Sequence, residues 1–366
     1  MNDFVITATR SMKNYASRVA DHVTRIPRFN AQAEIINSVD LIGTDLFADG
    51  EMEVSIKDSV RGKDVVLFSS SARNDAGIGV EEAKIELYHT VDALKRSQAK
   101  DIIVFEPYIS CSRSDRTTRR NSVGLWVHFK TLAGLGVKHI ITYQLHSNKS
   151  ESMLDPTICT IDDIPALTLL ERYLCDVYIR NMETLGNEVR PNWAFCSVDA
   201  GGEKLAREFA NAFVAPLVVA HKQRDYYRRN TIESVNILSA ESIEGKIIWI
   251  VDDMIDTAGS VEGLIHALSE RKPREINIIA VHALFSPPAA QRLNKLAMDG
   301  LLNRIIVADT VGYSGFTDML CHTEVVPSAE LSARIIRTLI CRESMGKLMI
   351  SFNAEKYLKS PGLFRE

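Results

Sequence analysis

The sequence lacks the features that mark membrane, secreted and nucleic-acid-binding proteins. No apolar run approaches the roughly 20 residues that a membrane-spanning helix needs, and the first residues lack the long apolar core of a signal peptide. Basic residues are not in excess, because the net charge is −4, so the chain has no general positive field for nucleic acid or an anionic membrane. We therefore expect a cytoplasmic protein that binds neither nucleic acid nor membranes.

Paired cysteines and linkers are also missing. The six cysteines are scattered without a C-x-x-C pair, which argues against a disulfide framework and a zinc site and favours buried thiols. No Pro/Gly/Ser-rich linker, low-complexity tract or exact internal repeat interrupts the 366 residues. A chain of this length exceeds the size at which one core stops growing, so we expect two domains.

The apolar residues indicate the fold class. Short runs rich in Ile and Val alternate with stretches of helical periodicity, which is typical of α/β units around a mainly parallel sheet. Strands are predicted at 64–70, 101–107, 138–145, 193–198, 215–220, 246–251, 276–284 and 303–309. We predict an α/β fold of two similar domains, residues 1–160 and 161–315, with a closing helix over 328–349 that packs near the first domain.

The stretch IIWIVDDMIDTAGS (247–260) has the layout of a phosphate site, with an apolar strand, a turn of small residues and a helix start. Ligands of open parallel sheets bind beyond the carboxyl ends of strands, where backbone N–H groups can hold an anion. Asp252 and Asp253 would repel a bare phosphate, but they can accept hydrogen bonds from sugar hydroxyls or bind Mg²⁺. A sugar phosphate satisfies both requirements. The alternative is that Asp256 or Thr257 only caps the helix.

This stretch resembles the loop that binds 5-phosphoribosyl 1-pyrophosphate (PRPP) in phosphoribosyltransferases and in ribose-phosphate pyrophosphokinases, also called PRPP synthetases. Further segments follow in the order seen in PRPP synthetases, namely LFADGEMEVSIKDSVRGKDVVL (46–67), VDALKRSQAKDIIVFEPY (91–108), SRSDR (112–116), ITYQLH (141–146), SVDAGGEKLAR (197–207) and HKQR (221–224). The resemblance covers nearly the whole chain and implies two domains of phosphoribosyltransferase type. It is weakest over 147–198 and after residue 350.

The resemblance also implies a set of site residues. The ribose 5-phosphate site would comprise Arg224, Asp252, Asp253, Asp256, Thr257, Ala258, Gly259 and Ser260. The ATP site would comprise Phe47, Asp49, Glu51, Arg113 and Ser114, where Ser114 replaces the usual glutamine of the family. The segment from Phe47 to Glu51 would bind adenine across a subunit interface, which implies a homo-oligomer of dimers that assemble to a hexamer.

Metal and catalytic residues follow from the same resemblance. His146 and Asp199 would serve Mg²⁺ sites, and Lys222 and Arg224 would be the catalytic pair of a mobile loop, HKQRDYYRRN. Taken alone, each pattern has a simpler interpretation: a D-G turn at residue 49, a solvated basic loop, a structural His and an Asp that shapes a turn. Sequence cannot decide whether Asp253 or Asp256 acts as a general base.

The resemblance implies a magnesium-dependent kinase of nucleotide biosynthesis that converts ATP and ribose 5-phosphate into AMP and PRPP. Two alternatives belong to other classes of protein. A non-catalytic PRPP-synthetase-associated regulatory protein would share the fold, but Lys222, Arg224, His146 and Asp199 are all present. A phosphoribosyltransferase that consumes PRPP would share the loop, but the adenine segment and the length of the chain argue against it.

Overall fold

The structure is a computed structural model that describes residues 3–25, 35–117, 120–224 and 232–360, apart from the side chains of 222–224 and 232–235. The chain divides into two compact units. The first unit comprises Met1–Pro165, Thr310–Ser314 and Pro327–Met349, and the second comprises Ala166–Asp309, Gly315–Val326 and Ile350–Glu366. Each unit therefore contains chain from more than one stretch of the sequence.

Strands and helices alternate along most of the described chain. The strands of the first unit are β1 (Phe4–Ala8), β2 (Ile35–Asn37), β3 (Ile42–Leu46), β4 (Met52–Ile56), β5 (Asp64–Phe68), β6 (Ile102–Phe105), β7 (His139–Tyr143) and β8 (Thr160–Ile164). Those of the second unit are β9 (Trp193–Ser197), β10 (Leu217–Arg224), β11 (Ile232–Ser239), β12 (Ile247–Ile255), β13 (Glu275–Ala283), β14 (Arg304–Ala308) and β15 (Thr323–Val326). The helices are α1 (Lys13–Arg25), α2 (Val80–Arg96), α3 (Gly124–Leu135), α4 (Leu167–Leu174), α5 (Met182–Thr184), α6 (Arg190–Asn192), α7 (Glu203–Phe213), α8 (Gly259–Ser269), α9 (Ala289–Met298), α10 (Ala329–Cys341) and α11 (Ala354–Lys359).

The main sheet of the first unit has the order β2-β1-β5-β6-β7-β8, and all its described pairings are parallel. Its inner strands are buried on both faces, which explains why they appear in the sequence as continuous apolar runs. Strands β3 and β4 form a separate antiparallel hairpin. Helix α10 packs in this unit against α1, where the hydroxyl of Tyr15 lies 2.8 Å from that of Ser328 and 2.7 Å from that of Ser332.

The sheet of the second unit has the order β11-β10-β9-β12-β13-β14-β15. Its described pairings are parallel except for that between β10 and β11. Aromatic rings fill one part of its core, with Trp193 5.3 Å from Trp249 and Phe195 5.4 Å from Phe213 between ring centres. The predicted class, two α/β units with mainly parallel sheets, is confirmed.

Two predictions about local structure are wrong. The closing helix does not run over 328–349, because α10 ends at Cys341 and Arg342 adopts a φ of 56°, which cannot continue a right-handed helix. The cysteines are free, but only Cys159, Cys175 and Cys196 are buried.

No helix in the described part of the chain is both long and apolar enough to span a membrane.

Residues 166–198, the part of the segment 147–198 that belongs to the second unit, contact the tail after residue 350. The hydroxyl of Tyr357 donates to both carboxylate oxygens of Asp176, at 2.9 and 3.1 Å. Arg190 Nη2 donates to Glu355 Oε2 at 2.8 Å, and the ring of Phe352 lies 6.3 Å from that of Phe213. The tail therefore packs against the second-unit part of the segment that departs from the family pattern.

Candidate functional site

Three neighbouring strands of the second unit end at the same edge of the sheet. β9 pairs with both β10 and β12, and its last residue, Ser197, lies opposite Val219 and Val251. Residues beyond these positions collect at the carboxyl edge, where ligands of parallel sheets bind. The expected site residues placed there by the backbone are Asp199, Lys222, Arg224, Asp252, Asp253 and Asp256.

Two of the expected acids lie inside a strand. The predicted strand ended at residue 251, but β12 continues to Ile255, because its pairing with β13 extends to Ile255 opposite Ala283. Asp253 is buried, Asp252 is half-buried, and Asp253 N–H donates to Asp252 Oδ1 at 3.0 Å. Burial raises the pKa of Asp252 well above its usual range, and the charges of Asp253 and then Asp199 raise it further. The environment of Asp252 therefore disfavours its charged form unless a cation or a hydrogen-bond donor stabilises it.

Asp199 combines a local role with closeness to the site. Its Oδ1 accepts hydrogen bonds from the N–H groups of Gly201, at 2.9 Å, and Gly202, at 3.2 Å, so the side chain shapes the turn before α7. A Cβ at Gly202 would lie 3.9 Å from Asp252 Oδ1, so the turn shaped by Asp199 lies beside Asp252, and the charge of Asp199 adds to the rise in the pKa of Asp252. The simpler interpretation as a turn residue and the proposed metal role are therefore compatible.

The turn from Asp256 to Ser260 joins β12 to α8. The residue that precedes the helix is Ala258, with φ 61°, and no side chain caps the helix start at this position. Neither Asp256 nor Thr257 is therefore the N-cap residue. N–H groups at an uncapped helix start and the positive end of the helix dipole together favour an anion.

Arg292 was not identified from the sequence, and the structure places it against this turn. The residue lies on α9, its Nη1 donates to the carbonyl oxygen of Thr257 at 2.9 Å, and its Nε lies 3.1 Å from Glu262 Oε2 on α8. A Cβ at position 259 would lie 2.8 Å from Arg292 Nη1, so glycine leaves room for the guanidinium group. No local motif marks Arg292, because its partner lies 35 residues away.

The first unit holds part of the expected ATP site at the edge of its own sheet. β6 and β7 are neighbours, with Phe105 opposite Ile141, so the loops that follow them leave from the same edge. Arg113 lies in the first loop and the exposed His146 in the second. The hydroxyl of Ser114 accepts from Gly124 N–H at 2.9 Å, so this side chain braces the start of α3.

The expected adenine segment forms the tip of the hairpin β3–β4. Phe47 N–H donates to the Glu51 carbonyl at 2.8 Å, Gly50 N–H donates to the Phe47 carbonyl at 2.9 Å, and Glu51 N–H donates to Asp49 Oδ1 at 3.1 Å. The tip is a tight turn, as its D-G dipeptide predicts, and Gly50 has a φ of 92°. The same turn leaves the ring of Phe47 54% exposed, so an aromatic face is presented to solvent.

Lys222 and Arg224 belong to the last residues of β10. Their backbones pair with β11, Lys222 opposite Val235 and Arg224 opposite Ile232, with an irregularity after Gln223. Their side chains and residues 225–231, the rest of the predicted mobile loop, lie outside the described part of the structure. Strands β10 and β11 therefore continue as a two-stranded hairpin past Ser197, the last residue of β9, and Lys222 and Arg224 lie on this extension.

The donors at the carboxyl edge of the second unit fit Mg²⁺. Carboxylate oxygens are the ligands that this ion prefers, and a cation would stabilise the charged form of Asp252, whose pKa is raised by burial and by the neighbouring acids. Among the residues that the structure describes, no group of three or more His, Cys, Asp or Glu side chains could hold a metal by itself. Mg²⁺ commonly binds through one or two carboxylates together with substrate phosphates, so the donor set fits an ion that arrives with a nucleotide.

Two α/β units with parallel sheets, one of which carries paired acids followed by an uncapped turn, define the phosphoribosyltransferase class of proteins. The family model for the N-terminal domain of ribose phosphate pyrophosphokinase matches residues 4–136, and that for the phosphoribosyl transferase domain matches 177–313. A ribose-phosphate pyrophosphokinase of Fusobacterium nucleatum is 32% identical over 72% of this chain and 76% of its own length. The chain belongs to the ribose-phosphate pyrophosphokinase family, which is a family of enzymes.

Other relatives extend this comparison. A ribose-phosphate pyrophosphokinase of Mycoplasma pneumoniae is 31% identical over 81% of this chain and 84% of its own. The crystal structure of phosphoribosylpyrophosphate synthetase from Mycobacterium smegmatis superposes with a TM-score of 0.77, covering 93% of this chain and all of that one at 24% identity. This likeness confirms the fold. Residues 137–176 and those after 313 match neither family model.

Proposed function

We propose that the protein transfers the pyrophosphoryl group of ATP to the anomeric hydroxyl of ribose 5-phosphate, which gives PRPP and AMP. The observation that carries this proposal is the acidic end of β12 followed by the uncapped start of α8. One half of this arrangement suits hydroxyl groups and the other half suits a phosphate, so a phosphorylated sugar fits it better than either group alone.

In the proposed ribose site, the turn from Asp256 to Ser260 binds the 5-phosphate. Its donors are the backbone N–H groups of the turn and the hydroxyls of Thr257 and Ser260. Asp252 and Asp253 accept hydrogen bonds from the 2- and 3-hydroxyls of the sugar. A sugar hydroxyl donates to a carboxylate, and the raised pKa of Asp252 falls when such donors or a cation stabilise its charged form.

In the proposed nucleotide site, the exposed ring of Phe47 stacks on adenine, and Asp49 and Glu51 accept from its exocyclic amine. Arg113 binds the polyphosphate, and Ser114 acts by bracing the loop that carries Arg113. A hairpin tip that presents an apolar ring to solvent suits a second copy of the chain. We therefore keep the homo-oligomer, dimers that assemble to a hexamer, as part of the proposal.

His146 would hold the Mg²⁺ that is bound to the nucleotide, and Asp199 would hold a separate ion near the ribose. The nucleotide-bound ion would neutralise charge on the triphosphate. The anomeric oxygen forms a bond to the β-phosphorus as the bond from that phosphorus to the oxygen of AMP breaks. The chain's own contribution is to orient the sugar through Asp252 and the turn and to stabilise charge through Lys222 and Arg224. Asp253 and Asp256 are both candidates for the base that receives the anomeric proton.

The test is formation of AMP from ATP by the purified full-length protein, followed by chromatography, with and without ribose 5-phosphate and Mg²⁺. We expect AMP and PRPP only when both are present, and no turnover in excess EDTA. ATP with ribose in place of ribose 5-phosphate is the matched control, because it lacks the phosphate that the turn binds. AMP formation without the sugar phosphate, or full turnover in EDTA, contradicts the proposal.

The same assay separates the alternative functions. A non-catalytic regulatory protein of this fold would bind ribose 5-phosphate or ATP without forming AMP. A phosphoribosyltransferase would instead consume PRPP and release pyrophosphate when given a nitrogenous base. The cytoplasmic location expected from the sequence also stays a proposal, consistent with substrates that are soluble phosphates.

A further inference from the structure

The turn that precedes α8 has an unusual backbone, and Arg292 contacts it. Ala258 adopts φ 61° and ψ 4°, a left-handed conformation that L-residues other than glycine, asparagine and aspartate rarely adopt. Such a conformation persists only where surrounding contacts enforce it. The contact made by Arg292 falls on the adjacent peptide group, through the carbonyl oxygen of Thr257.

This contact determines which way the neighbouring N–H group points. In a planar trans peptide the carbonyl oxygen of Thr257 and the N–H of Ala258 point in opposite directions. Because Arg292 holds the carbonyl on the side of α9, the N–H of Ala258 is directed to the other side. A flip of this peptide would place a carbonyl oxygen where the proposed phosphate site needs a donor.

The guanidinium group suits this task better than an ammonium group. Arg292 Nε is fixed 3.1 Å from Glu262 Oε2 while Nη1 donates to Thr257, so one planar group links the first turn of α8 to the preceding loop. Glycine at 259 leaves room for the same contact, since a Cβ there would lie 2.8 Å from Nη1 and the guanidinium group would have to shift. Arginine, glycine and the left-handed alanine therefore form one structural unit.

We propose that Arg292 is a positioning residue for the ribose 5-phosphate site, which holds the turn from Thr257 to Ser260 in its anion-binding conformation without touching the substrate. The inference rests on the proposed function, because it assigns this turn to the 5-phosphate. It predicts a specific loss of affinity for the phosphorylated sugar. Affinity for ATP and the rate of the bound complex depend on other residues.

The test compares Arg292→Ala, Arg292→Lys and Glu262→Gln in the full-length protein. Ribose 5-phosphate binding is measured by titration calorimetry, and KM for each substrate and kcat by steady-state kinetics. We expect Arg292→Ala to weaken ribose 5-phosphate by about ten- to hundredfold, the scale for a lost charged hydrogen bond. KM for ATP and kcat should stay within about threefold. Lysine should restore little, since it keeps the charge but not the two-point contact.

Arg271→Ala is the matched control, because Arg271 Nη2 also donates to a backbone carbonyl of the second unit, that of Ile237, at 3.1 Å. This variant should lower the melting temperature without changing KM for ribose 5-phosphate. If Arg292→Ala does not fold, Glu262→Gln gives the same readout, with an expected weakening of about threefold.

Wild-type affinity in Arg292→Lys would show that charge alone suffices and overturn the inference. An equal KM change in Arg271→Ala would also overturn it. Failure of the wild-type protein to bind ribose 5-phosphate would instead overturn the proposed function.

Discussion

Buried carboxylates lie in both units of the protein, but their neighbours differ. In the first unit, Glu86 is fully buried and accepts from Arg10 Nε at 3.0 Å, and Glu106 is fully buried 2.6 Å from His128 Nε2. In the second unit, Asp252 lies beside Asp253. The pKa of Glu171 is raised mainly by burial and, to a smaller extent, by the charge of Glu208.

This difference separates acids whose buried charge is compensated by a partner from acids whose charged form is opposed by a neighbouring acid. A buried carboxylate with a cationic or donating partner becomes strongly destabilising only when the partner is removed. A buried carboxylate that faces another acid already costs stability, because its charged form is disfavoured. In the proposed ribose site, the sugar hydroxyls and a cation would stabilise the charged forms of Asp252 and Asp253. Nothing in the structure explains why Glu171 is an acid.

The largest expected effect tests the partnered acids of the first unit. His128→Leu should lower the free energy of unfolding by about 3–5 kcal/mol, because Glu106 would remain buried without its partner. The measurement is unfolding in urea. His139→Leu is the control, since His139 lies 3.1 Å from the partly exposed Asp162 and should lose less than about 1 kcal/mol. Equal losses in the two variants would remove the distinction between buried and exposed pairs.

The next prediction concerns Lys222, a proposed catalytic cation of the second unit. Lys222→Ala should lower kcat by about 10²–10³, the scale for removing one preorganised stabilising group. Affinities for ATP and ribose 5-phosphate should change little, because this charge acts on the transition state. The test is steady-state kinetics with titration of both substrates, and Lys204→Ala, an exposed lysine of α7, is the control.

Related variants show whether the charge of Lys222 is what matters. Lys222→Gln should be nearly as slow as Lys222→Ala. Arg224→Ala should be similarly impaired, and the double variant should lose less than the sum of the two single effects, because both cations act on one charge. A kcat that stays within a factor of a few in Lys222→Ala means that HKQRDYYRRN is only a solvated basic loop.

Asp252→Asn should improve stability and impair binding together. The amide keeps the size but cannot accept hydroxyl hydrogen bonds at both ends, so ribose 5-phosphate should bind about ten- to hundredfold more weakly and ATP nearly unchanged. The melting temperature should rise at neutral pH, because an acid whose charged form is disfavoured beside Asp253 is removed. Calorimetry and thermal unfolding measure both, with the exposed Asp299→Asn as the control. Equal losses for the two substrates would refute the assigned role.

Glu171→Gln should give an effect on stability that depends on pH and is smallest at low pH. Burial first and the charge of Glu208 second raise the pKa of Glu171 from 4.5 to about 8. Below pH 4.5 the carboxyl group of Glu171 is protonated in both the folded and the unfolded protein. Between pH 4.5 and about 8 only the unfolded protein loses this proton, so the stability of the folded protein falls as the pH rises. At pH 6 the glutamine variant should be more stable by about 2 kcal/mol, at about 1.4 kcal/mol for each pH unit crossed.

Denaturation of wild type and Glu171→Gln between pH 5 and about pH 8 measures this difference. The gap should widen with pH and then level off. A difference in unfolding free energy that does not change with pH would show that Glu171 does not titrate in this range. Glu171 would then no longer be an example of an acid whose charged form is disfavoured.

Several features of this protein follow from the sequence alone. The eight predicted strands all exist, because a strand buried on both faces needs a continuous apolar run, and such runs are local. The turn from Asp256 to Ser260 was also recognisable, since a strand, small residues and a helix start are adjacent in the chain. Short or half-exposed strands such as β2 and β8 were not predicted, because their residues are not uniformly apolar.

Other features were decided only by the tertiary structure. β12 extends past its apolar residues because β13 supplies hydrogen-bond partners as far as Ala283. The contact of Arg292 with Thr257, the clustering of Asp199 near Asp252, and the raised pKa of Glu171 all depend on residues distant in sequence. Charge and hydrogen bonding act through space, so the type of each residue was visible in the sequence, whereas its partner became visible only when the strands and helices were packed.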